Sequence, residues 1–522
     1  MATVDIAVLL IYLTGVIAFG CWFVRRSGST QEFMIAGGRL PGWAVGLSIF
    51  GTYLSSNTFL GVPGKAYATN FNAFVFSLSL PLAAWIAQRV FVPFYRRSGQ
   101  VSAYEHLEER FGAWARTYAV VCYLLTQLAR TASILFGVAL GLHALTHWPV
   151  ATIILVTGAL VTLYTLLGGI EAVIWTDVAQ SLVLMVGAMV VLGMVYFSAP
   201  GGPLAAVELA ADRGKFSLGS WGLDWTQSTV WVMLLYGLFI NLNNFGIDQS
   251  FVQRYHTARS DAAAARAVWS AALLYVPISL IFFLIGAGLF AYYESRPDMR
   301  QEVAMQVARS SHPDASDEDL AAIATGLSTA EIGDKVLPHF IATQLPTGLA
   351  GLLIAAIFAA AMSSIDTSLN SSATIFYQDI FRRYWRPQCS ESTALLTLRI
   401  ATIIMGVMGT GMGLALIGVQ SILDAWWTLQ GVFAGGVLGL FLLGMAVHYP
   451  RTGPAVLATA AGIGCIAWLS LSPMLEWVPP SLRNPLHANL TIVAGTLTIF
   501  VVGWLLHSVG NRWSVVPKRP VR

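Results

Sequence analysis

Apolar and polar residues alternate along the chain in long blocks. About thirteen apolar runs of roughly 20 residues or more can be marked, centred near positions 13, 52, 85, 131, 159, 184, 240, 279, 361, 406, 436, 462 and 498. Each is long enough to cross ~30 Å of hydrocarbon as a helix. Short polar loops join most of them. Runs this long and continuous do not suit barrel strands, whereas helices satisfy their own backbone hydrogen bonds in lipid. The pattern predicts an all-α polytopic membrane protein: one transmembrane domain over residues 1–510 and a disordered tail over 511–522. One loop, 293–345, departs from the pattern. Its "ASDEDLAAIATGLSTAEIGDKVLPHF" reads as short surface helices with Ser and Asp caps.

Composition agrees. Of the 522 residues 56% are hydrophobic and 11% are charged, against about 25% charged in soluble domains. The net charge of +3 carries no nucleic-acid signal; the placement of the charges matters more. With the N-terminus outside, about 19 arginines and lysines fall on the cytoplasmic side and about 8 outside. The cytoplasmic set includes Arg25, Arg26, Arg96, Arg116, Arg254, Arg382, Arg383, Lys518, Arg519 and Arg522. The positive-inside rule therefore predicts an odd number of spans, N-out and C-in. The first run has Asp5 before it and Arg25-Arg26 after it, the reverse of a signal peptide, and reads as a retained span. The four cysteines, Cys21, Cys122, Cys389 and Cys465, show neither metal spacing nor a disulfide framework.

Two runs carry polar clusters with helix breakers. "GTYLSSNTFLGVPG" (51–64) and "NLNNFGIDQ" (241–249) predict interrupted helices. Unwound backbone at membrane depth is tolerated where it lines a cavity, and it points to a transporter's binding site. Packing on small residues is the alternative for either one alone. A third run, "GLAGLLIAAIFAAAMSSIDTSLNSS", turns polar in its middle. In a helix over 348–379, Ser363, Ser364, Thr367, Asn370, Ser371 and Thr374 recur every three or four residues and form one stripe, with Asp366 at its edge. Hydroxyl and carbonyl oxygens suit a small hard cation; hydroxyls bonding to backbone or neighbouring helices are the alternative. A charge at the bilayer centre costs about 2.5–3.5 kcal/mol or more, so it faces a partner or a pathway. Asp177, near the cytoplasmic start of its span, and Arg130, close to mid-span, are the other intramembrane charges. Arg130 either pairs with an internal carboxylate or receives one from a substrate. Arg89 reads as snorkelling, and Asp248 and Asp424, near helix ends, read as structural.

"GGIEAVIWTDVAQ" (168–180), "GIDQSFVQRY" (246–255) and "AAAMSSIDTSLNSSATIFYQDIFRRY" (359–384) resemble three signature regions of the sodium:solute symporter family, in order and at the expected spacing, within a similarity over about 5–450. The resemblance implies a LeuT-like five-plus-five inverted repeat, about 41–197 and 228–448, with one helix before and two after. It implies one sodium ion held by the carbonyls of Gly51, Leu54 and Ala360 and the hydroxyls of Ser363 and Ser364. A candidate second cation site uses Asp177, Asp366 and Thr367 and shares Ser363; serines or threonines are usual where Asp366 stands, and a carboxylate there either strengthens cation binding or binds a proton instead. For the solute it implies Ser55, Thr58, Ser77, Arg130, Asn241 and Asn244, with aromatic walls from Phe71, Phe74, Trp426 and Trp427. Ser55, Thr58 and Arg130 match the sialic acid branch. Thr58, Leu273 and Trp427 replace residues that contact sugar in the hexose transporters.

The expected function is sodium-driven import of a small polar solute, a sugar or sugar acid, by a monomer in the bilayer. Another carboxylate, an amino acid or a vitamin is the alternative substrate. An enzyme would need a convergent nucleophile and base or a metal cluster, and the nine histidines lie mostly in loops. A sensor would carry a soluble signalling domain, and a channel has no use for paired broken helices.

Overall fold

A computed structural model describes residues 3–23, 28–146, 148–312, 315–419 and 422–513. Arg25, Arg26, Lys518, Arg519, Arg522 and the tail after Trp513 lie outside the described residues, as do the side chains of Cys21, Asp424 and Arg512. The described residues form helices and connecting turns without strands. The main helices are α1 (Thr3–Trp22), α2 (Gly42–Tyr53), α3 (Val62–Ala68), α4 (Phe74–Arg89), α5 (Ala113–Thr146), α6 (Val150–Ser198) and α7 (Val230–Ile247). They continue as α8 (Gln249–Thr257), α9 (Asp261–Glu294), α10 (Leu349–Ile375), α11 (Glu391–Ala415), α12 (Ile422–Ala446), α13 (Thr452–Leu471) and α14 (Thr491–Trp513).

Eleven stretches among the described residues are long and apolar enough to cross a membrane. The other two expected spans take different forms. Val150–Leu166 is a shorter apolar helix. It is the first part of α6, which Gly169 interrupts at φ 59°, ψ −173°, a backbone state that only a residue without a Cβ adopts readily. The run near residue 52 is split into α2 and α3. The 293–345 loop contains helices Pro297–Ser311, Asp317–Gly326 and Thr329–Gln344. Ser316 and Ser328 cap the last two, Ser328 in a full capping box with Glu331.

The polar stripe needs a helix with no lipid-facing side, and α10 is that helix. Every residue from Leu353 to Ile375 is buried, and α10 packs against α6, α5 and α1. Helix α2 crosses between α9 and α6. Past Ile375 the chain continues as wider π-helical turns over Phe376–Trp385. Among these turns Asp379 meets Arg116 and Ser102, whose hydroxyl donates to it at 2.7 Å. Arg116, expected at the cytoplasmic surface, is thus largely buried.

Candidate ion and solute site

Both predicted interruptions exist, each narrower than its polar cluster. Helix α2 stops at Tyr53; Leu54 is extended (φ −94°, ψ 110°), and winding resumes at Asn57. Gly61, Pro63 and Gly64 lie within the resumed helix. The second break is the single residue Asp248 (φ −74°, ψ 117°), and α7 passes unbroken through the asparagines before it. A broken helix must place its freed carbonyls elsewhere. At the first break the carbonyl of Gly51 takes the Leu54 N–H at 3.0 Å. That of Thr52 takes the Arg130 guanidinium at 2.5 Å, that of Tyr53 the Thr58 hydroxyl at 3.2 Å, and that of Leu54 the Ser364 hydroxyl at 3.4 Å. Leu54 of the unwound segment and Ser364 of the hydroxyl stripe therefore touch.

Around this contact stand Gly51, Ser363 and Ser181. A Cβ on Gly51 would lie 2.7 Å from Ser181 Oγ and 3.2 Å from Ser363 Oγ, so glycine is what allows the approach. Ser363 donates its proton to Asp177 Oδ1 at 2.6 Å, which leaves its oxygen lone pairs free for a cation. Ala360 is buried one turn earlier on α10. The Leu54 carbonyl and the Ser364 hydroxyl meet here with the Ser363 hydroxyl beside Gly51, and carbonyl and hydroxyl oxygens are the donors a small hard cation takes. Ser181, four residues after Asp177 on the same helix face, stands beside Gly51 as well and donates to the Leu47 carbonyl at 3.4 Å.

Asp177, Asp366, Thr367 and Ser363 do not converge on one open point. Arg254, fully buried, lies among them. Its Nη2 donates to Asp177 Oδ2 at 2.9 Å and to Thr367 Oγ1 at 2.7 Å, and its Nε donates to Ser48 Oγ at 2.7 Å. Asp366 turns away, accepting from Tyr164 OH at 2.9 Å and from the Thr367 N–H at 2.6 Å. Arg254, expected among the cytoplasmic surface charges, thus corrects that expectation: it sits on α8, just past the second break, and points inward. The rest of the stripe bonds to neighbouring helices: Gln253 donates to Asn370 Oδ1 at 3.0 Å, and Tyr123 donates to Ser371 at 2.6 Å. Ser368, Ser371 and Thr374 also bond back to carbonyls of their own helix, so both readings of the stripe are realised on different residues.

Beside the first break lies a cavity of about 860 Å³, part of it continuous with solvent. Ser55, Thr58, Ser77, Arg130, Asn244 and Trp427 line it, as expected of the solute set. Ser77 shares a 2.7 Å hydrogen bond with Ser279, and Trp427 stacks on Phe76 at 6.0 Å. Asn241 and Phe74 are not in the lining. On α7 the cavity face is Ile240 and Asn244, four residues apart; Asn241 is rotated about 100° from Ile240 and donates to Ser79 at 3.1 Å. At the start of α4 the face is Phe76 and Ser77, with Ala73 just before the helix. Phe74 and Phe71 stand behind it, packed edge-on against Phe283 at 5.5 and 5.4 Å. The Asp248 side chain caps α8, accepting the Ser250 N–H at 2.8 Å, and it also lines the cavity. Arg130 forms no ion pair among the described residues.

The family model described as the sodium:solute symporter family matches residues 33–459. The chain belongs to that family. It is a multi-pass membrane transporter that couples solute movement to sodium, and it is not an enzyme. Among curated symporters, the sodium/sialic acid symporter NanT of Aliivibrio fischeri is 32% identical over 512 residues, covering 96% of this chain and 92% of its own. The sodium/sialic acid symporter SiaT of Proteus mirabilis is 34% identical over 501 residues, covering 95% and 94%. Among solved structures, a Na+-coupled sialic acid symporter in a substrate-bound outward-open state superposes with a TM-score of 0.84 at 30% identity, covering 97% of this chain and 98% of that one. The LeuT-like symporter fold follows from that match.

Proposed function

We propose that this symporter imports a sugar acid of the sialic acid type, with one sodium bound where Gly51, Leu54 and Ala360 meet Ser363 and Ser364. The observation that carries the substrate reading is Arg130. Its guanidinium faces the cavity with one protein hydrogen bond, to the Thr52 carbonyl, and no carboxylate paired to it among the described residues. A guanidinium so placed accepts a carboxylate bidentately. Ser55 and Thr58 stand beside it in the lining, and the two sialic acid relatives agree with the assignment.

The breaks at Leu54 and Asp248 occupy corresponding places in two inverted repeats, about 41–197 and 228–448, with the N-terminus outside. Ion and solute are coupled through the first break, because its Thr52 carbonyl holds Arg130 while its Leu54 carbonyl meets Ser364. Sodium that orders this segment favours the state in which the solute seat is formed. One charge crossing 100 mV yields about 2.3 kcal/mol, and a tenfold gradient adds about 1.4 kcal/mol. Together these support roughly 500-fold accumulation of a neutral solute. With an anionic solute, one sodium makes the cycle electroneutral. Arg254 already supplies a positive charge to Asp177 and Thr367, which favours one sodium; a second cation would have to enter beside Asp366.

Uptake of labelled sialic acid into proteoliposomes tests the reading. It should require sodium, fail with choline, and respond weakly to an imposed potential. Arg130→Ala should remove acidic-solute uptake and leave the sodium-induced thermal shift in place. Equal uptake in choline, or uptake unaffected by Arg130→Ala, would refute it.

A further inference from the structure

The cavity has a second polar pole that the solute set above does not contain. Asp248 and Gln127 both line it. Gln127 is fully buried, and its Nε2 points to Asp248 Oδ2 at 3.4 Å. The carboxylate, an acceptor only, fixes which end of the amide faces it. The other end, Oε1, is left buried with no hydrogen-bond partner. Asp248 Oδ1 is occupied by the Ser250 N–H at 2.8 Å and the Ser250 hydroxyl at 2.5 Å. Oδ2 has only the long contact to Gln127. Asn57 Oδ1, in the same lining, is also buried without a partner. Asp248 and Gln127 are therefore acceptors short of donors. Arg130 offers the opposite, donors awaiting an acceptor, and it makes no ion pair with Asp248.

We infer that Asp248 and Gln127 form a specificity-determining pole that accepts hydrogen bonds from the hydroxyl groups of a solute whose carboxylate is seated on Arg130. A buried acceptor left unpaired is costly, and hydrogen bonds to a charged group are worth about 1.5–3 kcal/mol. The pair thus selects a carboxylate that also carries hydroxyls over one that carries none. This deepens the sugar-acid reading and rests on it.

The test uses sodium-dependent thermal stabilisation of the purified full-length protein by four probes: sialic acid, glucuronate, cyclohexanecarboxylate and neutral N-acetylmannosamine. The wild-type protein should respond to the hydroxyl-bearing acids at concentrations about 10- to 100-fold below that needed for cyclohexanecarboxylate. Asp248→Asn keeps a good helix cap, and Gln127→Leu keeps the volume. Both should erase that preference while leaving the cyclohexanecarboxylate midpoint and the sodium-induced shift as they were. Equal weakening of all acids in both variants overturns the proposal, and so does a wild type without the preference. If instead Arg130 were not the carboxylate seat, N-acetylmannosamine would stabilise as well as sialic acid, yet Asp248→Asn would still weaken it. The two readings therefore fail separately.

Discussion

The two helix breaks solve the same problem in opposite ways. At Asp248 the break looks after itself: its own N–H bonds to the Asn243 carbonyl at 3.1 Å, and its own side chain caps α8. At Leu54 two of the four freed carbonyls borrow partners from distant helices, that of Thr52 from Arg130 on α5 and that of Leu54 from Ser364 on α10. Even the far end of the first broken helix borrows, because Lys215 donates to the carbonyls of Tyr67 at 2.6 Å and Thr69 at 2.9 Å. A carbonyl on loan can exchange its partner for an ion. A self-capped break is a fixed point, and from beside it Arg254 reaches across to Asp177.

The largest effect should come from cutting that reach. Arg254→Met leaves Asp177 buried without its cation and should cost about 3–5 kcal/mol, read as a lower melting temperature in detergent. Pairing it with Asp177→Asn should recover most of the loss. Next, Ser364→Ala removes an oxygen at the borrowed break and should raise the half-maximal sodium concentration at least about tenfold. Asp248→Asn, at the self-capped break, should leave it alone; matching sodium shifts in the two would end the distinction between the breaks. Asp248→Ala should cost about 1 kcal/mol as a lost cap, and Asp248→Asn only a few tenths. The smallest effect is at Lys215. Burial lowers its ammonium from 10.5 to about 8, so between those values the unfolded chain binds the extra proton and stability should rise with pH. Hydrogen-exchange protection around residues 67–73 should increase across that window, and Lys215→Met should flatten the trend.

Much of this was legible in the order of residues. The apolar runs located the spans, and the two polar clusters located the breaks. The spacing of Ser363, Ser364 and Thr367 placed them on one buried face, because 3.6 residues per turn leaves little choice. Arg254 was not legible: a basic residue six positions past the break at Asp248 reads as a helix-end charge, and only the short helix after Asp248 turns it inward. Asn241 and Phe74 missed the cavity for a rotational reason, each about 100° off the lining face. Whether Arg130 was paired or free depended on side chains from other helices, which no local pattern encodes.

The π-helical turns over Phe376–Trp385 set the phase of everything beyond them. A wider turn holds an extra residue, so the hydroxyl stripe on α10 keeps its angle while Asp379 swings round to Arg116. Deleting one residue there would rotate the far end by about 100°, parting Asp379 from Arg116 without touching the ion-binding oxygens. The ion site and the end of the helix are joined in one rod but can be clocked independently.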